Sequence, residues 1–424
     1  MNKVFVKTQG CSANFAEGEI IEGQLQKAKF SLVKEPGLAD VILLNICTVK
    51  GDTTALRAIG KLKEKFPNKK FVITGCITPE IVEPIRELVP KATLINTHNI
   101  DQIVHAVKNA LKSKPIEKLE PAKLVKLMFP RKRKNPVIGI IPISSGCLDM
   151  CGYCSTRLVK GVLHSYQPEK IIEEIKLAVK EGCKEIWITA QDTGCYGFDI
   201  KTNLAELLKQ VVEIPGDFML RLGMGNPRHM TKYLDELVEV FKNPKLFKFL
   251  HIPVQSGNND VLKAMRRGHD VETFKKIVAA FRKKIPEITV STDIIVGYPG
   301  ETKQEFVDSV NLIKEIKPGV LNISRFVPRP GTYAATLPDD VSKCEKKDRS
   351  GLLRKAFDKV AFEENQKWLG WKGEILIDEH GHTGTMIGRN FAYKPVAVQG
   401  EFKLGDKIPV EIIKARSTYF VGHH

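Results

Sequence analysis

The sequence has no long apolar run and no sign of a disulfide framework. None of its hydrophobic stretches approaches the roughly 18 residues that a membrane-spanning helix needs, and the start MNKVFVKTQG is typical of a strand rather than a secretion signal. The nine cysteines are odd in number, which argues against complete disulfide pairing. We therefore expect a cytoplasmic protein that contacts no membrane and whose reduced cysteines are available as metal ligands.

Internal repeats and low-complexity tracts are also absent. Because the chain has 424 residues, it is long enough for two or three globular domains. Acidic residues are scarce: 49 Asp and Glu against 66 Lys and Arg give a net charge of +17, which favours a polyanionic partner. Nearly half of this excess falls in one stretch, 108–134, which has ten basic and two acidic residues. We expect this stretch to contact a phosphate backbone; the alternative is a solvated charge run.

The cysteines that are present form two sets. The first set, Cys147, Cys151 and Cys154, has the spacing C-x3-C-x2-C and follows an apolar run, 138–143, that we predict to be a buried strand. Three thiolates bind three irons of a [4Fe–4S] cluster and leave the fourth iron open for a small ligand. Zinc normally takes four protein ligands, and no fourth cysteine or histidine is close in sequence. We therefore predict a cluster, with a zinc knuckle or unrelated structural cysteines as alternatives.

The second set consists of cysteines that each follow a predicted strand by one to four residues: Cys11, Cys47 and Cys76. The strands are predicted at 4–7, 41–45 and 71–74, in a parallel α/β sheet. Loops that follow parallel strands gather at one edge of the sheet, so we expect the three thiols to meet there. One such cysteine is more often a small buried hydrophobe, but three favour a second three-thiolate site.

Residues 136–330 show a second α/β pattern. The predicted strands are 138–143, 185–189, 218–222, 247–252, 289–295 and 321–326, with amphipathic helices between them. Six strand–helix units indicate an open (β/α)6 barrel, whose chemistry takes place at the carboxyl ends of the strands. Polar residues near those ends are candidate ligand contacts, namely Gln191, Asp192, Gln255, Ser256 and Asp293.

The C-terminal part is predicted to be a helix followed by a small all-β barrel with glycine turns. Its basic and aromatic residues form either an RNA-binding face or a small core, and the sequence leaves both open. They are Arg389, Lys394, Lys414, Arg416, Phe391, Tyr393 and Tyr419.

Over essentially its whole length the chain resembles the methylthiotransferase family of radical S-adenosylmethionine (SAM) enzymes. Beyond the two cysteine sets, the resemblance depends on three motifs: His251-Ile-Pro-Val-Gln-Ser-Gly257, Asp293-Ile-Ile-Val-Gly-Tyr-Pro-Gly-Glu301 and Arg329-Pro-Gly331. Two further stretches are most similar to the archaeal and eukaryotic branch, which modifies threonylcarbamoyladenosine in tRNA: Gly10-Cys-Ser-Ala-Asn14 and Gln191-Asp-Thr-Gly-Cys-Tyr-Gly197.

The resemblance implies an α/β fold class with three parts. They are an N-terminal flavodoxin-like parallel α/β domain, a central open (β/α)6 radical SAM barrel and a C-terminal TRAM-type all-β barrel. The expected boundaries are 1–115 for the auxiliary-cluster domain, 116–135 for a basic linker, 136–340 for the radical SAM core, 341–367 for a connecting helix and 368–424 for the TRAM-type RNA-binding domain.

The implied reaction adds a methylthio group to carbon 2 of N6-threonylcarbamoyladenosine at position 37, beside the anticodon. It needs two [4Fe–4S] clusters and two SAM molecules per turnover, one as the methyl donor and one as the radical source. The resemblance assigns the catalytic cluster to Cys147, Cys151 and Cys154 and the auxiliary cluster to Cys11, Cys47 and Cys76. The remaining cysteines, Cys183, Cys195 and Cys344, are expected not to be ligands.

Further residues are expected to bind SAM. Tyr153 is the aromatic residue that radical SAM loops usually have before the last cysteine, and Gln191 and Asp192 are expected at the SAM amino group. Arg221 is expected at the SAM carboxylate, with a surface ion pair as the alternative.

Three residues near the strand ends have weaker assignments. Gln255 and Ser256 are expected to contact SAM or the target base, with a simple turn as the alternative. Asp293 is expected at ribose hydroxyls, with capping of its own loop as the alternative.

The expected partners are tRNA, through its anticodon stem-loop, and an electron-donor protein such as a ferredoxin or flavodoxin. Two related activities stay open: methylthiolation of isopentenyladenosine in tRNA, and of an aspartate in a ribosomal protein. From another class, the chain is alternatively an iron–sulfur RNA-binding protein without catalytic activity. The net charge of +17 favours RNA over a protein substrate.

Overall fold

The computed structural model describes residues 2–47, 51–382 and 384–424. The N-terminal domain is a six-stranded parallel sheet in the order β2-β1-β3-β4-β5-β6, with helices on both faces. Its elements are β1 Lys3–Thr8, α1 Ser12–Lys27, β2 Ser31–Val33, β3 Val41–Ile46, α2 Asp52–Lys65, β4 Lys70–Gly75, α3 Pro79–Leu88, β5 Thr93–Asn96, α4 Ile103–Leu111 and β6 Glu117–Lys118.

The composition of β3 explains why this sheet is covered on both sides. All six residues of Val41–Ile46 are buried, as expected for a central parallel strand that has helices on either face. Helices α2 and α3 cover one face and α1 and α4 the other. The strand order is that of flavodoxin-like domains, so the prediction for this part of the fold is confirmed.

The central domain consists of two three-stranded parallel sheets, β11-β10-β7 and β12-β13-β14, which together form the open (β/α)6 barrel. The large core of the chain lies between these strands and the outer helices. The elements are β7 Ile138–Pro142, β8 Ser144–Ser145, α5 Thr156–Lys160, β9 His164–Ser165, α6 Pro168–Lys180, β10 Glu185–Thr189, α7 Leu204–Val212, β11 Met219–Leu222, α8 Pro227–Met230, α9 Leu234–Val240, β12 Phe249–His251, α10 Asn259–Ala264, α11 Val271–Lys284, β13 Thr289–Val296, α12 Lys303–Ile316 and β14 Val320–Arg325.

The C-terminal domain is a closed five-stranded barrel in the order β15-β16-β17-β19-β18, preceded by a long helix. The elements are α13 Lys343–Gln366, β15 Lys372–His380, β16 Thr385–Arg389, β17 Pro395–Gln399, β18 Lys407–Ala415 and β19 Phe420–His423. Both this closed barrel and the open barrel before it confirm the predicted fold class. None of the helices in the described ranges combines the length and hydropathy that crossing a bilayer requires.

The C-terminal barrel is docked at the amino ends of the strands of the open barrel. The Tyr393 ring lies 4.8 Å from the Phe247 ring and 5.1 Å from the Phe249 ring, and its hydroxyl donates to Glu185 at the start of β10 over 2.8 Å. The Phe391 ring packs against Trp368. Tyr393 therefore fills the seam with the open barrel and Phe391 packs within the C-terminal part, whereas Tyr419 is 43% exposed.

The linker before the open barrel is held by ion pairs. Arg131 donates to Glu174 over 2.6 Å, and Arg133 donates to Glu181 over 2.7 Å. The Arg131 and Arg133 side chains are only 4% and 9% exposed. The expected phosphate contact is therefore wrong for these two residues, because acidic residues of α6 and its C-terminal end occupy their guanidinium groups. Lys132, which is 45% exposed at its side chain, still faces solvent.

Candidate active site: two cysteine triads

The auxiliary triad forms where three adjacent strands end. Cys11 follows β1, Cys47 follows β3 and Cys76 follows β4, and these strands are neighbours in the sheet. The Cys47 side chain interacts with both Cys11 and Cys76. The structure thus brings together the three thiols that the sequence predicted to meet.

Gly10 makes this close approach possible. Its φ is +127°, and a Cβ at this position would lie 2.4 Å from Cys47 Cβ and 2.7 Å from Cys47 Sγ. Any side chain here would therefore push the Cys47 loop away from Cys11. The close approach of Cys47 to Cys11 therefore requires glycine at position 10.

Asn14 connects the loops of the auxiliary triad. Its side-chain amide donates to Gln9 O over 3.0 Å and to Ile46 O over 2.7 Å, and its Oδ1 accepts from Cys76 Sγ at 3.5 Å. Asn14 is fully buried. The sequence motif contained this residue, but its role as a connector depends on contacts 32 and 62 residues away and was not foreseen.

The electrostatics of this triad favour thiolates. The hydrogen bond from Cys47 is the main reason that the pKa of Cys11 falls to about 6, and the positive charge of Lys160 contributes to the lowering. The hydrogen bond with Cys47 likewise lowers the pKa of Cys76, again with a contribution from Lys160. The same two hydrogen bonds raise the pKa of Cys47. Because the thiolate is the form that binds metal, the triad is suited to be a ligand set.

The second triad lies in the loop between β8 and α5. Gly146, with φ +75°, permits the turn into this loop: a Cβ here would lie 2.1 Å from Val162 O. Arg267 Nη1 donates to Cys151 Sγ over 3.3 Å, and its Nη2 donates to Pro253 O over 3.0 Å. Burial raises the pKa of Cys151 to about 11, against the opposing charge of Arg267. Arg267 is 4% exposed and was not foreseen from the sequence.

Cys195 lies against this second triad. The interaction between the two thiols lowers the pKa of Cys147 and raises that of Cys195. Cys195 is fully buried and also donates to Asp192 O at 3.4 Å. The structure therefore brings Cys195 into contact with the triad, and the expectation that it is not a ligand stays a prediction.

A compact polar group secures the second cysteine loop. Asp149, inside the loop, accepts from Asn226 Nδ2 over 2.6 Å, from Arg228 Nη1 over 3.0 Å and bonds His229 Nε2 over 2.9 Å. Although burial opposes it, His229 and the charge of Arg228 lower the pKa of Asp149. The loop is thus attached to the region after β11. Neither Asp149 nor His229 was singled out from the sequence, because their partners are 77 to 80 residues away.

The spacing of the ligand atoms distinguishes a cluster from a single ion. Among the residues that the structure describes, Asp149, Asp192 and His229 form the one group of three with ligand atoms all within 4.8 Å of one another. Asp149 in that group is already saturated by donors. Neither cysteine triad has all three sulfur atoms within 4.8 Å of one another, as the ligands of a single zinc ion would be. The all-thiolate donor sets therefore fit [4Fe–4S] clusters.

Gln191 and Asp192 follow β10, at the catalytic face. The Gln191 side-chain oxygen has no hydrogen-bond partner among the described residues, and Gln191 lines a small cavity with Glu17, Lys126 and Ser144. Asp192 Oδ1 accepts from Gly194 N over 2.8 Å. Asp192 Oδ2 has no hydrogen-bond partner within the described ranges and lies 3.9 Å from His229 Nε2. Burial raises the pKa of Asp192. Both residues keep a free acceptor, as binding of an amino group requires.

Arg221 lies in an aromatic environment. Its guanidinium is 4.9 Å from the Trp187 ring centroid and 5.3 Å from each of the Phe249 and Tyr393 ring centroids. Tyr393 belongs to the C-terminal barrel, so Arg221 is directed towards the amino ends of the strands. The structure does not bring it to the cysteine loop with Gln191 and Asp192.

The other expected SAM contacts lie in two places. Tyr153 packs with Tyr298 and other apolar residues beneath the cysteine loop. Asp293 Oδ1 accepts from Asn322 Nδ2 over 2.7 Å and bonds His251 Nε2 over 3.1 Å, inside the barrel. Burial alone would raise the pKa of Asp293, but His251 lowers it overall.

Gln255 and Ser256 have geometry that suits a turn. Gln255 has φ +80°, and its backbone N–H donates to Asp293 O over 2.8 Å. The Ser256 hydroxyl lies 3.4 Å from the Ser309 hydroxyl on α12 and accepts from Asn258 N over 3.2 Å.

Comparison with known proteins agrees with this architecture. The profile of the radical SAM superfamily matches residues 141–313, that of the uncharacterized protein family UPF0004 matches residues 3–96, and that of the TRAM domain matches residues 369–423. The radical SAM methyltransferase TsrM from Kitasatospora setae, solved with cobalamin and a [4Fe–4S] cluster, has a similar fold at 12% identity. Its TM-score is 0.58, with 79% of this chain and 77% of that chain covered. The fold and the cysteine loop define a radical SAM enzyme.

Two relatives extend over the full chain. A protein of Pyrococcus abyssi is 42% identical, with 100% of this chain and 99% of the relative covered, and is named "Probable threonylcarbamoyladenosine tRNA methylthiotransferase". The human threonylcarbamoyladenosine tRNA methylthiotransferase is 36% identical, with 100% of this chain and 74% of the human protein covered. The chain belongs to the threonylcarbamoyladenosine tRNA methylthiotransferase family.

Proposed function

We propose that this protein is a radical SAM tRNA methylthiotransferase that places a methylthio group on carbon 2 of N6-threonylcarbamoyladenosine at position 37. One observation carries the proposal: the auxiliary triad adjoins the carboxyl ends of the barrel strands, where the Cys147 loop lies. Ser12, which follows Cys11, is hydrogen-bonded to Thr189 at the carboxyl end of β10 over 2.7 Å. The auxiliary triad therefore adjoins the face of the barrel that holds the Cys147 loop.

The chain's own residues have distinct tasks in this reaction. Cys147, Cys151 and Cys154 would hold one [4Fe–4S] cluster, and the auxiliary triad would hold the other. When bound, the clusters and SAM would supply the carbon radical and the methylated sulfur. Both are needed to replace the hydrogen of the unactivated C–H bond at carbon 2 of the adenine. Asp149 fixes the catalytic loop, and Gln191 and Asp192 offer free acceptors for the SAM amino group. Neither of these two roles requires a side chain to act as a general acid or base.

The inside of the barrel gives the target base a place to enter. Asn322 and Ser324, on the last strand β14, are exposed, and Asn322 donates to the Asp293–His251 pair inside the barrel. Hydrogen-bonding groups of this kind suit the edge of a purine and its ribose hydroxyls. We therefore propose that the adenosine leaves the RNA stack and enters this chamber.

Exposed residues around the entrance of this chamber support the proposal that the substrate is RNA. Met150 is 64% exposed, Val162 61% and Val327 67%, and the Arg266 guanidinium lies 3.5 Å from the centroid of the Tyr333 ring. Exposed apolar and aromatic surface beside arginine is what unstacked RNA bases bind. Recognition of the anticodon stem-loop, a ferredoxin or flavodoxin as electron donor, and a cytoplasmic location are further parts of this proposal.

The test is an anaerobic assay of the reconstituted protein with tRNA that carries threonylcarbamoyladenosine, read by mass spectrometry of nucleosides. We expect a 2-methylthio product and 5′-deoxyadenosine. Cys147→Ala should lose both, whereas Cys11→Ala should still release 5′-deoxyadenosine but form no methylthio product. Cys344→Ala, at an exposed cysteine, is the matched control and should behave as the unmodified protein.

The alternatives give different results in the same assay. Product on isopentenyladenosine tRNA alone, or on a ribosomal protein alone, would replace the proposed substrate. If no 5′-deoxyadenosine forms with any substrate, the chain is a binding protein and the proposal fails.

A further inference from the structure

A cleft lies where the radical SAM core meets the C-terminal barrel. The core lines it with the segment 286–290 and Lys317, and the C-terminal part lines it with Trp368, Trp371 and Lys394. Its volume of about 460 Å³ is within the range of roughly 300–1,000 Å³ that is usual for small-molecule sites. We call it the seam cleft, because neither part of the chain forms it alone.

Two cations of the seam cleft have no carboxylate within ion-pairing distance among the described residues. Glu364 is shared between Lys317, at 3.4 Å, and Lys367, at 2.6 Å. The remaining two cations contact neutral groups: Lys394 donates to a side-chain amide oxygen over 2.9 Å and Arg282 to a backbone carbonyl over 3.1 Å. Four cations and two acidic residues line the cleft, so its net charge favours an anionic ligand.

Lys394 is part of the wall of the seam cleft. Its Nζ lies 5.5 Å from the centroid of the Trp368 ring and 5.6 Å from that of Phe420. Gly319 leaves room for this lysine, because a Cβ at position 319 would lie 3.5 Å from Lys394 Nζ and 2.8 Å from Thr289 Cγ2. Burial lowers the pKa of Lys394 to about 8. An anion in the cleft would therefore stabilise the charged form of this lysine.

Two tryptophans give the seam cleft an aromatic wall. The rings of Trp368 and Trp371 have centroids 5.9 Å apart, and both residues are half-buried. A Cβ at Gly373 would lie 2.4 Å from Trp371 Cζ2, so the glycine allows the indole to lie against β15. Partly exposed indoles beside cations form the kind of surface on which unstacked RNA bases stack. The cleft thus offers contacts for both the phosphate and the base of a nucleotide.

The seam cleft is remote from the catalytic loop. Thr289 begins β13 and Gly319 directly precedes β14, so the cleft lies at the amino ends of these strands. The Cys147 loop lies at the carboxyl ends, and the eight residues of β13 span about 26 Å. A base inside the barrel and a base in the cleft must therefore belong to different nucleotides.

We propose that the seam cleft binds one nucleotide of the tRNA that lies outside the anticodon loop. Its phosphate contacts Arg282 and Lys394, and its base stacks on the tryptophans. The net charge of +17 favours a polynucleotide over a protein partner at this site. The radical SAM core thus takes part in tRNA binding at the end opposite to the reaction. This inference rests on the proposed function, because it takes tRNA as the substrate.

Three substitutions test the parts of the seam cleft separately. Arg282→Gln and Lys394→Gln each remove one positive charge and keep a side chain that donates hydrogen bonds. Trp371→Leu removes aromatic surface and keeps an apolar side chain. Lys209→Gln is the matched control, since it also removes one charge, from an exposed pair with Glu206 on α7. Thermal unfolding identifies the variants that are folded.

The measurement is the affinity of the reconstituted full chain for tRNA that carries threonylcarbamoyladenosine and for its anticodon stem-loop, by fluorescence anisotropy at several salt concentrations. We expect Arg282→Gln, Lys394→Gln and Trp371→Leu each to weaken binding of intact tRNA about fivefold or more. Binding of the stem-loop should stay unchanged. The two charge variants should also reduce the dependence of log Kd on log salt by about one, and Lys209→Gln should change neither quantity.

Three results would overturn the inference. They are an unchanged tRNA affinity in the folded variants of the seam cleft, an equal weakening of stem-loop binding, and an equal effect of Lys209→Gln. The last two would show that the substitutions act on the anticodon region or through net charge alone.

Hydrogen exchange of the unsubstituted protein gives a test that does not depend on any variant. Intact tRNA should slow amide exchange in the segments 286–290 and 367–371, whereas the stem-loop should not. Absence of protection by intact tRNA would equally contradict the inference. Neither measurement requires turnover, so a protein that binds tRNA in this way but forms no methylthio product would contradict only the proposed function.

Discussion

At the scale of single residues, charge burial separates structural cations from those that remain available to a ligand. Arg131 and Arg133 end in protein ion pairs, although the sequence around them is typical of a phosphate-binding stretch. Lys160 was not singled out, yet it is buried against Glu17, which lies 143 residues earlier in the sequence. A count of charges identifies how basic a segment is, but the partner of each charge depends on the tertiary fold.

Glu17 is the residue whose charge should matter most for stability. In Glu17→Gln, two buried ammonium groups would lose their common carboxylate, so we expect a loss of about 3–5 kcal/mol in the free energy of unfolding. The pKa of Glu17 falls to about 2, despite a burial effect that would raise it, because Lys126 and Lys160 favour the ionised form. Urea unfolding under anaerobic conditions measures the loss.

Glu206→Gln is the matched control for that prediction, since Glu206 forms an exposed pair with Lys209. It should cost at most about 1 kcal/mol. Equal losses in the two variants would show that the buried contacts of Glu17 with Lys126 and Lys160 have no special weight.

At the scale of elements, the strand ends were predictable and the short connections between them were not. The strands that precede Cys11, Cys47 and Cys76 could be found because apolar runs bounded by glycine or polar residues indicate buried parallel strands. The hairpin of β8 and β9, which carries the catalytic loop, has only two residues in each strand and no periodic signal. Its pairing depends on the turn at Gly146 instead.

Gly146→Ala should therefore disrupt the catalytic loop. The added Cβ would meet Val162 O at 2.1 Å, and the positive φ is unfavourable for alanine. We expect loss of the catalytic cluster and of SAM cleavage, measured by iron content and by 5′-deoxyadenosine. The auxiliary cluster should remain, leaving about half of the iron.

Gly182→Ala provides the comparison, because Gly182 has φ +98° but nothing within 4 Å of the added Cβ. It should cost about 1–2 kcal/mol of stability from the backbone alone and keep both clusters. If both variants lose iron equally, backbone strain rather than the clash with the hairpin is responsible.

At the scale of the whole molecule, the order and type of the three folded parts could be predicted from the sequence, but their contacts could not. The expected boundaries at 115, 135, 340 and 367 remain predictions. Nothing in the sequence showed that Tyr393 closes the amino end of the open barrel or that Arg221 lies against it. Such contacts join residues of different domains, and neither apolar periodicity nor motif spacing contains that information. The residues that identify each domain are close together in the sequence, whereas the residues that join two domains are far apart in it.

Tyr393→Ala should loosen this docking. The substitution removes a ring that packs on Phe247 and Phe249 and a hydroxyl that donates to Glu185. Truncation of a buried aromatic residue costs about 3–5 kcal/mol, so we expect a lower unfolding temperature and faster proteolysis at the seam. Tyr419→Ala, at a residue 43% exposed, should change neither. Unchanged proteolysis of Tyr393→Ala would mean that other contacts hold the barrel.

The position of the C-terminal barrel also determines how long an RNA substrate must be to contact both ends of the enzyme. That barrel lies at the amino ends of strands whose carboxyl ends hold the chemistry, and a five-residue strand such as β10 is about 16 Å long. If the C-terminal barrel binds the nucleic acid, a polynucleotide that contacts both this barrel and the Cys147 loop must run along the outside of the enzyme. An isolated anticodon stem-loop would reach the chamber without contacting the C-terminal barrel. We therefore expect intact tRNA to bind more tightly than the stem-loop alone.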